Sequence, residues 1–75
     1  MFDFGKRLKE VRRENGLTQK QLAEKIGSTE RGIRGYELGT MKPGLDVIIS
    51  ILDNVNVSAD YLLGRTDNPA VLRGA

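Results

Sequence analysis

Seventy-five residues with 39% hydrophobic, 29% charged and 5% aromatic content and a net charge of +2 describe a single small domain, because so short a chain closes only one core. Cysteine and histidine are both absent, which excludes disulfides, thiolate zinc sites, thiol nucleophiles and imidazole catalysis, so neither an enzyme nor a cofactor or metal site is expected. The longest apolar run, Val47-Ile48-Ile49 ahead of Ser50, is far below the roughly 18 residues of a membrane span, and Met1-Phe2-Asp3-Phe4 opens no secretory pattern, so a cytoplasmic location is expected.

Phe4, Leu8 and Val11 recur at i, i+4 and i+7 with Lys and Arg between them, which predicts an amphipathic helix from about Phe4 to Asn15 with Asp3 as its cap. Gly16 ends it. Thr18 then offers its hydroxyl to the free N–H groups of a second helix, and Gln21, three residues on, completes a capping box. Leu22, Ala23 and Ile26 form the buried stripe of that helix, which stops at Gly27. Thr29 opens a third helix from Glu30 to Leu38, with Ile33 and Tyr36 on its apolar side and Gly39 as the left-handed stop. Gly32 and Gly35 lie in its interior, where each costs about 1 kcal/mol relative to alanine, so both need a reason.

After Thr40-Met41-Lys42-Pro43-Gly44, a fourth helix from Leu45 to Val55 places Leu45, Ile48, Leu52 and Val55 on one face. Its β-branched residues favour a strand, but they do not alternate and a lone strand has no partner. Val47 and Ile51 lie beside that stripe, suited either to a dimer interface or to the core. Ser58 caps a short fifth helix through Ala59, Tyr61, Leu62 and Leu63, ended by Gly64. Residues 65–75, with Asp67-Asn68-Pro69 and no periodicity, are expected to form a loosely ordered tail.

Two short helices joined by a glycine-containing turn of about three residues make a helix-turn-helix, an arrangement that holds the start of the third helix proud of the surface. Its side chains then fit a major groove about 12 Å wide. Charge agrees with an anionic partner: residues 1–42 hold ten Lys and Arg against six Asp and Glu, net +4, whereas residues 43–75 hold two against four, net −2.

Leu17-Thr18-Gln19, Leu22-Ala23, Gly27, Ile33 and Tyr36-Glu37 resemble the phage-repressor (Cro-like, XRE) helix-turn-helix family. Gly5-Lys6-Arg7 with Leu8, Pro43, Leu45 and Asn56-Val57-Ser58 through Leu62-Leu63-Gly64 extend the likeness over residues 4–64. The resemblance implies an all-α, compact five-helix lambda-repressor-like DNA-binding domain in residues 1–64. It further implies a sequence-specific regulator of transcription, a repressor, bound as a homodimer to an inverted repeat in double-stranded DNA. Leu63-Gly64-Arg65-Thr66-Asp67-Asn68-Pro69 is similar to prophage-encoded and Gram-positive bacterial members.

The resemblance puts Gln19 at the start of the second helix, where its amide and the adjacent N–H groups hold a phosphate, alongside a capping role. Thr29 caps the third helix and is a second phosphate contact. Glu30, Arg31 and Arg34 occupy the exposed side of that helix. Arg31 can grip guanine O6 and N7 through two donors, and Glu30 can accept from cytosine N4 or simply complement the helix dipole. Glu30 and Arg34 also stand in the favourable i, i+4 order for an ion pair. Lys42 is a phosphate candidate, with Lys6, Arg7 and Arg13 weaker ones whose default is solvated charge. Arg12 and Glu37 match a structural salt bridge of the family.

The chain departs from the family at Gly35, where relatives often carry a base-reading side chain, and at Gly32 and Ser28. A silent Gly35 leaves specificity to Arg31, Glu30 and DNA shape, or lets the helix backbone approach the groove. These glycines also motivate a rival function, a protein-interaction module of antitoxin or antagonist type with weakened DNA binding. Gly32-Ile33-Arg34-Gly35 matches a GxxG string, but the RNA-binding fold that uses it needs strands that this sequence does not predict.

Overall fold

A computed structural model describes residues 1–69. Five helices follow in chain order: α1 (Phe4–Glu14), α2 (Gln19–Ile26), α3 (Glu30–Leu38), α4 (Leu45–Asn54) and α5 (Ala59–Leu62). There is no strand among the described residues, and no described helix is long and apolar enough to cross a membrane. Of the expected tail, residues 70–75 lie outside the described residues.

Local chemistry sets the helix ends. Asp3 Oδ1 accepts from Lys6 N–H at 3.1 Å to start α1. Thr18 Oγ1 accepts from Gln21 N–H at 3.0 Å while Gln21 Oε1 accepts from Thr18 N–H at 2.9 Å, a reciprocal capping box that satisfies two otherwise orphaned donors. Thr29 Oγ1 accepts from Gly32 N–H at 3.0 Å and Ser58 Oγ from Tyr61 N–H at 3.1 Å. Gly27 and Gly39, at φ 69° and 82°, end α2 and α3 in the left-handed conformation that a side chain would strain.

α1 packs on α3 and α5, and α2 packs on both α3 and α4. Leu8, Val11, Leu22, Ile33, Ile51 and Leu62 are the largest fully buried side chains, with Ala23, Tyr36, Val55 and Tyr61 completing the core. α1 meets the end of α3 so closely that a Cβ on Gly5 would run into the carbonyl oxygens of Tyr36 and Glu37. Backbone cannot retreat as a side chain can, so glycine is required there.

α4 differs from its predicted orientation. Ile51 is fully buried in the core and Val47 is half-buried against it, so the dimer-interface alternative for these two residues is withdrawn. Leu45, expected in the buried stripe, is 73% exposed, and Ile49 is 48% exposed. The reason is rotational. Asp46, Ser50, Asp53 and Asn54 gather on one side of α4, but the apolar arc opposite them spans more than half of the helix; packing against α2 turns Ile51 and Val55 inward and leaves Leu45 and Ile49 at the exposed edge of that arc.

Candidate nucleic-acid interface

α2 and α3 are separated only by Gly27, Ser28 and Thr29. Ser28 N–H donates to Ala23 O at 2.8 Å, which folds the turn back on α2, and Thr29 begins α3 in extended geometry. α3 then divides cleanly. Gly32, Ile33, Gly35 and Tyr36 are buried, whereas Glu30, Arg31, Arg34 and Leu38 are exposed. At 100° per residue those four exposed positions cover one contiguous face, away from α1 and α2.

Charge on that face is mixed but leaves cations available. Arg34 Nη2 lies 3.9 Å from Glu30 Oε2, with both side chains about half exposed, a loose surface pair. Arg31 is exposed and makes no ion pair among the described residues, and the same holds for Lys42 in the loop after α3. A guanidinium near a helix start has nothing to gain from the positive end of the dipole. Its fork remains available to an outside acceptor.

Beneath the face, one buried guanidinium ties three elements together. Arg12 Nε donates to Glu37 Oε2 at 2.6 Å, Nη2 to Glu37 Oε1 at 3.0 Å and Nη1 to Leu17 O at 2.9 Å. The two side chains are 10% and 4% exposed. Gln19 Nε2 adds a bond to Glu37 Oε1 at 3.2 Å, so the start of α2 is held against the last turn of α3. A carboxamide has two N–H bonds, and one stays available while the other serves Glu37.

The interior glycines of α3 now have reasons. A Cβ on Gly32 would stand 3.2 Å from both Ser28 Oγ and Thr29 Oγ1, so the turn and the first turn of α3 fit closely because Gly32 has no side chain. Gly35 is covered by the side chain of Met41 from the α3–α4 loop. Its backbone is therefore closed to a groove, against the expectation of a close backbone approach.

Arg7 departs from its expected solvated role. It is neither solvated nor available to phosphate: its side chain is 12% exposed, Nη1 donates to Tyr61 O and to Thr66 O, and Nη2 meets Asp67 Oδ1 at 3.1 Å. Its guanidinium carbon sits 4.0 Å from the Tyr61 ring centroid and 5.2 Å from that of Phe2. Partners 54 to 60 residues away in the sequence left no local signal. Lys6 and Arg13 remain exposed. Met41 was missed altogether, since a methionine in a loop carries no motif; the clue was the glycine opposite it.

A helix-turn-helix family model matches residues 8–62. Among relatives in Bacillus subtilis (strain 168), the uncharacterised HTH-type transcriptional regulator YobD is 44% identical over 66 residues, which is 88% of this chain and 59% of that protein. The HTH-type transcriptional regulator ImmR is 41% identical over 64 residues, covering 85% of this chain and 50% of its own length. The SPbeta prophage-derived HTH-type transcriptional regulator YonR, uncharacterised, is 36% identical over 63 residues, 84% of this chain and 58% of that protein. The chain thus spans between half and three-fifths of the length of these relatives. With two capped helices at a three-residue turn and a family match across all five helices, the chain belongs to the helix-turn-helix family of phage-repressor (Cro-like, XRE) type, a family of DNA-binding domains of transcription regulators.

Proposed function

We propose that the protein is a sequence-specific regulator of transcription, a repressor, that binds double-stranded DNA as a homodimer on an inverted repeat, with α3 in the major groove. The observation that carries this reading is the division of α3: one face is locked into the core, and the other presents Glu30, Arg31 and Arg34 at the end nearest the turn. A helix end raised from the surface and carrying an unpaired arginine suits base edges. Arg31 is the guanine reader, through two parallel donors to O6 and N7. Glu30 accepts from cytosine N4 and steers Arg34 toward the next base or its phosphate. Gln19, whose carboxamide has one N–H left beside the free N–H groups of α2, and Thr29, whose hydroxyl can donate while it caps, hold phosphates on either side of the groove. Lys42 adds a further phosphate contact.

Selection from a random duplex pool with the purified protein tests the reading. Recovery of an inverted repeat is expected, its half-sites about 34–36 Å apart on one face of the duplex. Arg31→Ala should relax one G·C preference at a loss of about 1–3 kcal/mol, whereas Lys42→Ala should weaken all duplexes alike and lower the salt slope by about one. Binding without sequence enrichment would refute a sequence-reading regulator and direct the search to protein partners.

A further inference from the structure

At the border between the buried face of α3 and the face proposed to enter the groove lies a feature that the charged residues do not explain. Position 35 lies one helical turn beyond Arg31 and one turn before Gly39, next to Leu38 on the helix surface. It carries no side chain, yet the space where one would begin is filled. A Cβ on Gly35 would stand 2.6 Å from Met41 Sδ, 2.8 Å from its Cγ and 3.1 Å from its Cβ. Met41 therefore lies across Gly35 along most of its length.

Its placement is built in. The N–H groups of Thr40 and Met41 both donate to Gly35 O, at 3.0 and 3.2 Å, joined by the Gly39 N–H and the Thr40 hydroxyl. The loop is thus tied to the residue that its methionine covers. On its inner side Met41 borders an apolar hollow with Phe4, Tyr36 and Ile48, while 46% of the residue stays exposed. Leu38, at 71%, extends the exposed apolar surface along α3.

Resting on the DNA-reading function proposed above, we infer that Met41 is a specificity-determining residue, its exposed side standing over position 35, one helical turn beyond Arg31. A thioether offers no donor and only a weak acceptor, so it does not select among the hydrogen-bonding edges of the groove. The one apolar group presented by bases in the major groove is the thymine C5-methyl. Met41 accordingly selects thymine next to the guanine read by Arg31. Burial of one methyl group against an apolar side chain predicts a roughly fourfold gain in affinity.

The test uses the duplex recovered by random-pool selection, prepared with thymine and with deoxyuridine, which lacks only the methyl, at each thymine in turn. The wild-type protein should lose roughly fourfold in affinity at one thymine per half-site adjacent to the Arg31-dependent guanine. Met41→Ala should abolish that difference and keep the guanine preference. Gly35→Gln, whose Cβ meets Met41 at Cβ, Cγ and Sδ and so displaces its whole side chain while placing a carboxamide there, should exchange the thymine preference for adenine. Thermal unfolding of each variant establishes that it is folded, and Met41→Gln provides a second, volume-conserving change. Equal wild-type affinity for the thymine and deoxyuridine duplexes overturns the inference, with no variant needed. A thymine preference that survives Met41→Ala overturns it while leaving the regulator intact, and so does a Met41 variant that changes only the monomer–dimer balance. Failure to enrich any duplex overturns the regulator itself and the methionine's role with it.

Discussion

α3 and α4 are nearly equal in length, 9 and 10 residues, yet their sequences specify their ends and inner faces to different degrees. α3 is bounded by a side-chain cap and a left-handed glycine, and the contrast between its polar and apolar residues announces which face goes inward. α4 has no side-chain cap, only Gly44, and its apolar arc is wider than the core it meets, so its sequence marks Asp46, Ser50, Asp53 and Asn54 as the outer side without saying which part of the broad apolar arc is buried. A helix that serves an outside partner must keep one face polar. A helix that mainly completes a core can be apolar over more than half of its surface, and its exact rotation is settled by its neighbours.

The largest effect expected falls under α3. Glu37→Ala leaves the Arg12 guanidinium buried without its counter-charge and should destabilise the fold by about 3–5 kcal/mol in chemical denaturation. Wild-type stability in that variant would mean that the charged face stands on packing alone. Next comes the pair that fixes the rotation of α4. Ile51→Ala should cost about 2–5 kcal/mol through the cavity it opens, while Leu45→Ala should stay within about 0.5 kcal/mol. Equal losses at the two positions would break the account of α4 given above.

Smaller effects sharpen the contrast in helix ends. Thr29→Ala removes the α3 cap and should cost about 1 kcal/mol, whereas α4 offers no corresponding side chain to remove. Least of all, Arg34→Ala, which breaks only a half-exposed i, i+4 pair, should change stability by about 0.3–0.5 kcal/mol. A larger loss in denaturant would show that Arg34 belongs to the scaffold instead of the proposed DNA-facing surface.

Much of the helix-turn-helix was legible because its signals are short in sequence. Thr18 with Gln21, Gly27, Thr29 and Gly39 all act within four residues, through an oxygen placed over a free N–H or a backbone that tolerates positive φ. The exposed triad Glu30, Arg31 and Arg34 followed from the same periodicity that buried Ile33 and Tyr36. Arg7 shows where such reading stops. It looks like any basic residue of an amphipathic helix, and only the return of Tyr61, Thr66 and Asp67 makes it a buried tether. Gly35 is similar: it looks like a local weakness until the thioether of Met41 is seen in the space left open, and the need for Gly5 is visible only once the carbonyls of Tyr36 and Glu37 lie against it.

The sequence by itself determined the number of helices, the ends of the first three nearly to the residue, and the polar side of α3, because caps, glycine stops and alternation act through the backbone over one or two turns. Only the tertiary structure decided which way α4 turns, that Arg7 fastens the segment after α5 to α1, and that Met41 covers Gly35. Arg7 and α4 depend on partners remote along the chain, brought together only by closure of the core, and the covering of Gly35 depends on the path of a loop that no periodicity encodes.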